Sequence, residues 1–260
     1  MRTNVWYNHN RTDIRICQSV FQQCYNIPSG IDKSKLVKMC TRYYIDEDTP
    51  EFNDVIEKAI RSSLYDRINQ ELGKAMHYRG EIRPTDLVPV IAPNRNGNRS
   101  AYPMKWGFSI KNSTTPIVNA RCETASLKDL FKDAWKKHRC IIPASWYYEW
   151  EHFRASDGKI KAGSKYMIQP KGSMSTWLCG IYRYEGNIPV FAILTRQSSD
   201  PVAKLHDRMP LMLPSDKIDD WICPGSDPNV LLSYAITDLF VDHGDNIPDI
   251  SVKPSWWTDK

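Results

Sequence analysis

The sequence predicts an α+β fold in which β-structure dominates, and two patterns carry that expectation. From Asp86 onward, apolar runs of five to eleven residues recur between Pro, Gly and Asn, as short strands do. Ahead of them, Phe52, Val55, Ile56, Ala59, Ile60, Leu64, Ile68 and Leu72 fall three or four residues apart, the period of a helix with one buried face.

Taken in order, residues 1–38 are polar and Asn-rich, with no sustained period. They predict a leader or a mis-chosen translation start, with residues 39–260 as one domain. The helix over 50–72 has Thr49 as its N-cap, Pro50 in its first turn and Gly73 after its end. Strands are predicted at 87–91, 104–108, 116–120, 140–150, 165–169, 175–182 and 190–194. A second helix is expected at 127–138, where Leu127, Leu130, Phe131, Ala134 and Trp135 form one stripe, and a third at 215–222.

At 260 residues and 41% hydrophobic content the chain can bury a full core. A net charge of +5 is compatible with a phosphate-bearing partner without requiring one. The seven cysteines (17, 24, 40, 122, 140, 179, 223) include no C-x-x-C pair and none at zinc-like spacing from a histidine. Neither a disulfide scaffold nor a metal site is supported, and no cofactor is expected. The first 30 residues lack an apolar signal core, and no segment approaches the roughly 18 apolar residues of a membrane span. A cytoplasmic protein in a reducing compartment is the expectation.

Four segments concentrate the chemistry. MCTRYY (39–44), VNARCET (118–124), WYYEW (146–150) and LHDRMP (205–210) supply a thiol, an amide, a carboxylate, an imidazole and guanidinium groups. That inventory suits a covalent site acting on a polyanion. Together with MKWGF (104–108), RCIIPASWYYEW (139–150), FAILTRQSS (191–199) and LHDRMPLML (205–213), these segments resemble, in order, the motifs of the SOS-response-associated peptidase (SRAP) family over roughly residues 39–225.

The resemblance implies curved, barrel-like sheets, mixed or antiparallel, with helices 50–72 and 127–138 packed outside. It also implies a monomer that joins an N-terminal cysteine covalently to abasic sites in single-stranded DNA, with SRAP-type peptidase or lyase-like activity. Cys40 follows Met39, so a start at Met39 and removal of that methionine would leave an α-amine and a thiol on adjacent carbons. Such a 1,2-aminothiol attacks an aldehyde through its amine and closes onto the same carbon through sulfur. In the family the cysteine is residue 2, whereas 38 residues precede Met39 here. A start at Met39 resolves the difference, and self-cleavage before Cys40 is the alternative.

Glu149, set among Trp146, Tyr147, Tyr148 and Trp150, is the candidate general acid–base, unless strand alternation turns it to solvent. His206 is a second group that titrates near neutral pH, suited to opening the sugar ring or contacting the adjacent phosphate, and the resemblance makes it an active-site residue. By the same resemblance Asn119 orients the cysteine amine, and Thr195 lies near the lesion. Arg121 and Arg208 each follow a candidate site residue by two positions, so on extended segments each would share that residue's face and clamp a phosphate. Trp106 matches a family tryptophan that packs on bases, although a core tryptophan is an equally ordinary reading. Two other functions use the same residues. One is a thiol peptidase with Cys40 as nucleophile and His206 as base, and the other is a single-stranded DNA binder without catalysis.

Overall fold

The apolar runs after Asp86 pair into two sheets, one of which closes on itself. The computed structural model describes residues 41–46 and 48–243, so residues 1–38, Met39 and Cys40 lie outside the described residues. Along the chain run β1 (Arg42–Ile45), α1 (Pro50–Ile60), α2 (Tyr65–Leu72), β2 (Gly80–Ile82), β3 (Leu87–Pro93) and β4 (Arg99–Trp106). Next come β5 (Asn119–Arg121), α3 (Cys122–Ala125), α4 (Lys132–Lys137), β6 (Arg139–Ala144), β7 (Trp146–Arg154) and β8 (Ile160–Pro170). They are followed by β9 (Thr176–Glu185), β10 (Ile188–Gln197), β11 (Arg208–Pro210), α5 (Ile218–Ile222), α6 (Pro228–Leu231) and β12 (Leu239–His243).

Strands β10, β4, β3, β6 and β9 pair in that order, and β9 pairs back onto β10 to close a five-stranded barrel. All pairings in the ring are antiparallel except β10 with β4, where Phe191 lies beside Trp106. The barrel is filled by large side chains. Trp106 is fully buried and stacks on Phe191, with ring centroids 6.1 Å apart and planes 7° from parallel. Gly180 lies where barrel strands crowd together: a Cβ there would come within 2.6 Å of Ile142 Cδ1 and 3.1 Å of the Ala192 carbonyl. Each large apolar side chain enclosed this way contributes about 1.5–3 kcal/mol.

The second sheet has the order β12-β8-β7-β1-β2. The run 140–150, read from sequence as one strand, is two. It leaves the barrel as β6 and enters the second sheet as β7, with Ser145 at the crossing. There the Asp46 N–H donates to Ser145 Oγ at 2.8 Å, and Thr176 Oγ1 donates to the Ser145 carbonyl at 2.9 Å. The expected barrel-like, β-rich α+β fold is thus present, and one continuous apolar run feeds both sheets.

The helices differ from expectation in three places. The helix over 50–72 divides into α1 and α2. At the break the Ser62 hydroxyl accepts from the Leu64 N–H and the Ser62 carbonyl from the Tyr65 N–H, a local alternative to the helical ladder. Thr49 stands at the N-cap, but its hydroxyl lies 3.5 Å from Ser145 Oγ rather than bonding the helix end. Gly73 does close α2, with φ of 60°. The helix over 127–138 shortens to α4, because Leu127 is 69% exposed and the chain between α3 and α4 runs in turns. The third, at 215–222, is a 3-10 turn continued by α5. Arg139, 1% exposed, donates to the carbonyls of Trp135 and Lys136 in α4 and of Trp221 in α5, and so ties both helices to the barrel.

Candidate functional site

Strand β10 runs past the barrel mouth, and its last residues carry two short strands in place of barrel neighbours. On one edge β5 runs parallel, with Asn119 beside Ile193 and Arg121 beside Thr195. On the other β11 runs antiparallel, with Pro210 beside Thr195 and Arg208 beside Gln197. Thr195 is wholly buried between them and donates its hydroxyl to the Ala120 carbonyl at 3.3 Å. Three motifs distant in sequence therefore meet at one end of one strand.

Arg208 is the bracket of this region. Its Nη1 and Nη2 donate to the two carboxylate oxygens of Glu123 at 2.6 and 2.7 Å, and Nη2 also donates to the Thr195 carbonyl at 2.7 Å. Burial would push the Glu123 carboxyl up, yet the guanidinium fork and the Gln197 N–H hold it below the usual carboxylate range. The same burial, with Glu123 adjoining, drives the Cys122 thiol up to about 12, so Cys122 is no nucleophile. With its fork filled by Glu123, Arg208 is a structural tie, while Arg121 remains exposed.

His206 does not lie on an extended strand, so the alternation expected to align it with Arg208 does not apply. It follows a 3-10 turn at Val202–Lys204, and β11 begins only at Arg208. Its placement comes from a local turn in which the Arg208 N–H donates to His206 Nδ1 at 3.0 Å, while the Ser198 hydroxyl donates to the His206 carbonyl at 2.7 Å. The ring is only 7% exposed, and burial pulls its pKa below the usual histidine value against the opposing pull of Asp207. Asp207 Oδ1 lies 2.9 Å from the same Nδ1, but that side chain is 73% exposed and screened by water. Burial therefore favours the neutral ring, whose Nδ1 faces both the Arg208 N–H and the Asp207 carboxylate.

Glu149 is 1% exposed, which removes the solvent-facing alternative. It lies on β7 opposite Tyr166, and its Oε1 accepts from the Trp150 N–H at 3.3 Å. Three positions along, His152 sets its ring edge-to-face against His206, with centroids 6.1 Å apart and planes at 79°. That contact links β7 to the β10–β11 region. Asn119 is partly buried on β5. Trp106 corrects the base-stacking expectation: it is 0% exposed, donates Nε1–H to the Val118 carbonyl at 3.0 Å, and presents no face to a base.

Sequence reasoning passed over Glu123 and His152. Glu123 stood within the NARCET segment, where Arg208's need for a counter-charge is visible only in space. His152 carries no sequence signal, since nothing in its neighbourhood along the chain points to His206. Among the described residues, no cluster of three or more His, Cys, Asp or Glu is placed to hold a metal. None of their helices is long and apolar enough to cross a membrane.

The family model for SOS response associated peptidase (SRAP) matches residues 39–240. The chain belongs to the SRAP family. Among its relatives, the abasic site processing protein YoqW of Bacillus subtilis is 29% identical over 208 residues, covering 75% of this chain and 85% of YoqW. The abasic site processing protein YedK of Escherichia coli is 26% identical over 156 residues, covering 55% and 64% of the two chains. A solved protein from Bacteroides thetaiotaomicron superposes with a TM-score of 0.57 at 19% identity, covering 84% of this chain and 98% of its own. A phage-related protein from Bordetella bronchiseptica gives a TM-score of 0.56 at 17% identity, over 78% and 93%. Both structures share the architecture of this SRAP protein.

Proposed function

We propose that this SRAP protein processes abasic sites in single-stranded DNA by bonding Cys40, freed as the N-terminal residue, to the ring-opened sugar. The α-amine adds to the aldehyde and water departs, giving an imine. The thiol then adds to the imine carbon while its proton passes to nitrogen, closing a thiazolidine. A buried carboxylic acid that can give and take protons commonly contributes about 10² to 10⁴ in rate, and Glu149 is so assigned. His206 in its neutral form offers Nε2–H to the sugar oxygen during ring opening. Asn119 orients the amine, and exposed Arg121 takes the neighbouring phosphate. Arg208 and Thr195 hold the β5–β10–β11 frame.

The observation that carries this reading is that a carboxyl and an imidazole are each enclosed, and that β7, which carries Glu149, also sets His152 against the His206 ring. Glu149 is 1% exposed and the His206 side chain 7%. Connectivity supports Cys40 as the third member. It is bonded to Thr41, the residue before β1, and β1 begins at Arg42 opposite Tyr148, the neighbour of Glu149. The names of the abasic site processing relatives favour the same substrate.

The test is intact-protein mass spectrometry of a chain starting at Met39 and of the full 260-residue chain, each mixed with a single-stranded oligonucleotide bearing one abasic site. The Met39-start protein is expected to lose its methionine and gain the oligonucleotide mass less one water. Cys40→Ala and α-amine acetylation should both abolish the gain. A protein with Cys40 proven N-terminal and no mass gain overturns the reading in favour of peptidase chemistry or plain binding.

A further inference from the structure

We infer that Glu81 is a positioning residue: its carboxylate gathers Arg42, Arg83 and Lys165, and so fixes the start of β1, to which Cys40 is joined through Thr41, against the part of β7 that carries Glu149. The consequence for catalysis rests on the abasic-site reading, whereas the bracket itself rests on geometry. Glu81 Oε1 accepts from Arg42 Nη1 at 2.7 Å and from Arg83 Nε at 3.0 Å, and Oε2 accepts from Lys165 Nζ at 3.0 Å. The three cations come from β1, from the turn after β2 and from β8, so one carboxylate on β2 ties three separate segments together. Burial would push the Glu81 carboxyl up, yet the Lys165 ammonium and the Arg42 guanidinium hold it below the usual carboxylate range.

The bracket reaches β7 through two rings. Lys165 Nζ stands 3.6 Å from the centre of the Tyr148 ring, and the Arg42 guanidinium 5.4 Å from that of Trp150. Tyr148 and Trp150 flank Glu149 along the strand, and alternation sets them on the opposite face of the sheet, so the bracket lies behind the carboxyl assigned to proton transfer. The start of β1 needs such a hold. The strand has four residues, its pairing with β2 ends at Tyr43 and its pairing with β7 at Arg42, and the ends of short ladders open readily. Because three cations converge on one carboxylate, removing its charge leaves them facing one another and frees Arg42 from β2 and β8.

The first arm of the test is amide hydrogen exchange of the full chain over residues 42–44, with β3 as reference, in the unaltered protein, Glu81→Gln and Glu81→Asp. Exchange over 42–44 should quicken roughly tenfold in Glu81→Gln while β3 keeps its rate, and Glu81→Asp, which retains the charge, should quicken less. Unchanged exchange over 42–44 overturns the inference without any DNA. An equal rise in β3 marks a general loss of stability and also overturns it. The second arm is single-turnover crosslinking at rising concentrations of the abasic oligonucleotide. Misplacement of the reacting groups should lower the maximal rate of Glu81→Gln roughly tenfold, with the half-saturating concentration unchanged or lower, since the variant is the more positive protein. Glu81→Asp should recover most of the rate. An unchanged maximal rate with tighter binding would make Glu81 only a brake on positive charge and removes the catalytic role. Failure of the unaltered protein to crosslink sinks the abasic-site reading, while the exchange still decides the bracket.

Discussion

The two ends of β10 share one hydrogen-bonded backbone and live in opposite surroundings. Ile188–Leu194 lines the closed barrel with every residue buried, whereas Thr195, Arg196 and Gln197 project beyond it between β5 and β11. In the first part, stability comes from apolar surface enclosed on both faces of the strand. In the second, it comes from a small set of directional contacts, chiefly Glu123–Arg208 and the Thr195 hydroxyl. A barrel strand that overruns its barrel thereby becomes a rigid mount for polar groups, which a loop could not hold so closely.

Four substitutions separate the two ends, in falling order of expected effect. Phe191→Ala empties the space stacked on Trp106 and should cost about 3–5 kcal/mol in a denaturant titration. Glu123→Gln leaves the mostly buried Arg208 guanidinium without its counter-charge and should cost about 3 kcal/mol. It should also change the acid profile. Because the Glu123 pKa is depressed on folding, its stabilisation is present above the unfolded value of about 4.3 and is lost as pH falls through the folded one. Glu123→Gln should flatten that limb, and an unchanged limb would mean the ion pair contributes little. Gly180→Ala crowds the barrel against Ile142 and should cost about 1–3 kcal/mol. Thr195→Val keeps the shape and removes one hydrogen bond, worth about 1 kcal/mol. If Thr195→Val proved as damaging as Phe191→Ala, the contrast between the two ends would fail.

Histidine sharpens the comparison further. His206 is buried with its pKa lowered, so the unfolded chain binds a proton that the folded chain refuses. Its contribution to stability is complete above the unfolded value of about 6.5 and declines as pH falls towards the folded one. Replacing it as His206→Gln should remove that part of the slope, checked by melting temperature against pH.

Much of the barrel was legible along the chain, because seven apolar runs bounded by Pro, Gly and Asn each supplied residues to a strand. Its closure was not, since pairing of β9 onto β10 depends on which edges meet. The 140–150 run hid a change of sheet, because β6 passes into β7 with only Ser145 between them, and it is the contacts of Ser145 that mark the crossing. Four short strands escaped notice: β1, β2 and β11 are only three or four residues long, and β12 pairs with β8 at a sheet edge. Among the candidate site residues, Glu149 and His206 stood out in the sequence as titratable groups in distinctive segments. Trp106 stood open between core and base-stacking readings, because a tryptophan in a strand reads alike whether it faces the core or a ligand.

By itself, then, the order of residues determined the α+β class, the strand-forming runs and the chemical inventory, since period and residue type are local properties. Tertiary structure alone decided that Glu123 would occupy Arg208, that Trp106 would turn inward onto Phe191 and that His152 would meet His206. The partners in each pair lie far apart along the chain, and charge matching, ring packing and exclusion of water act on distance in space, to which spacing along the chain gives no guide.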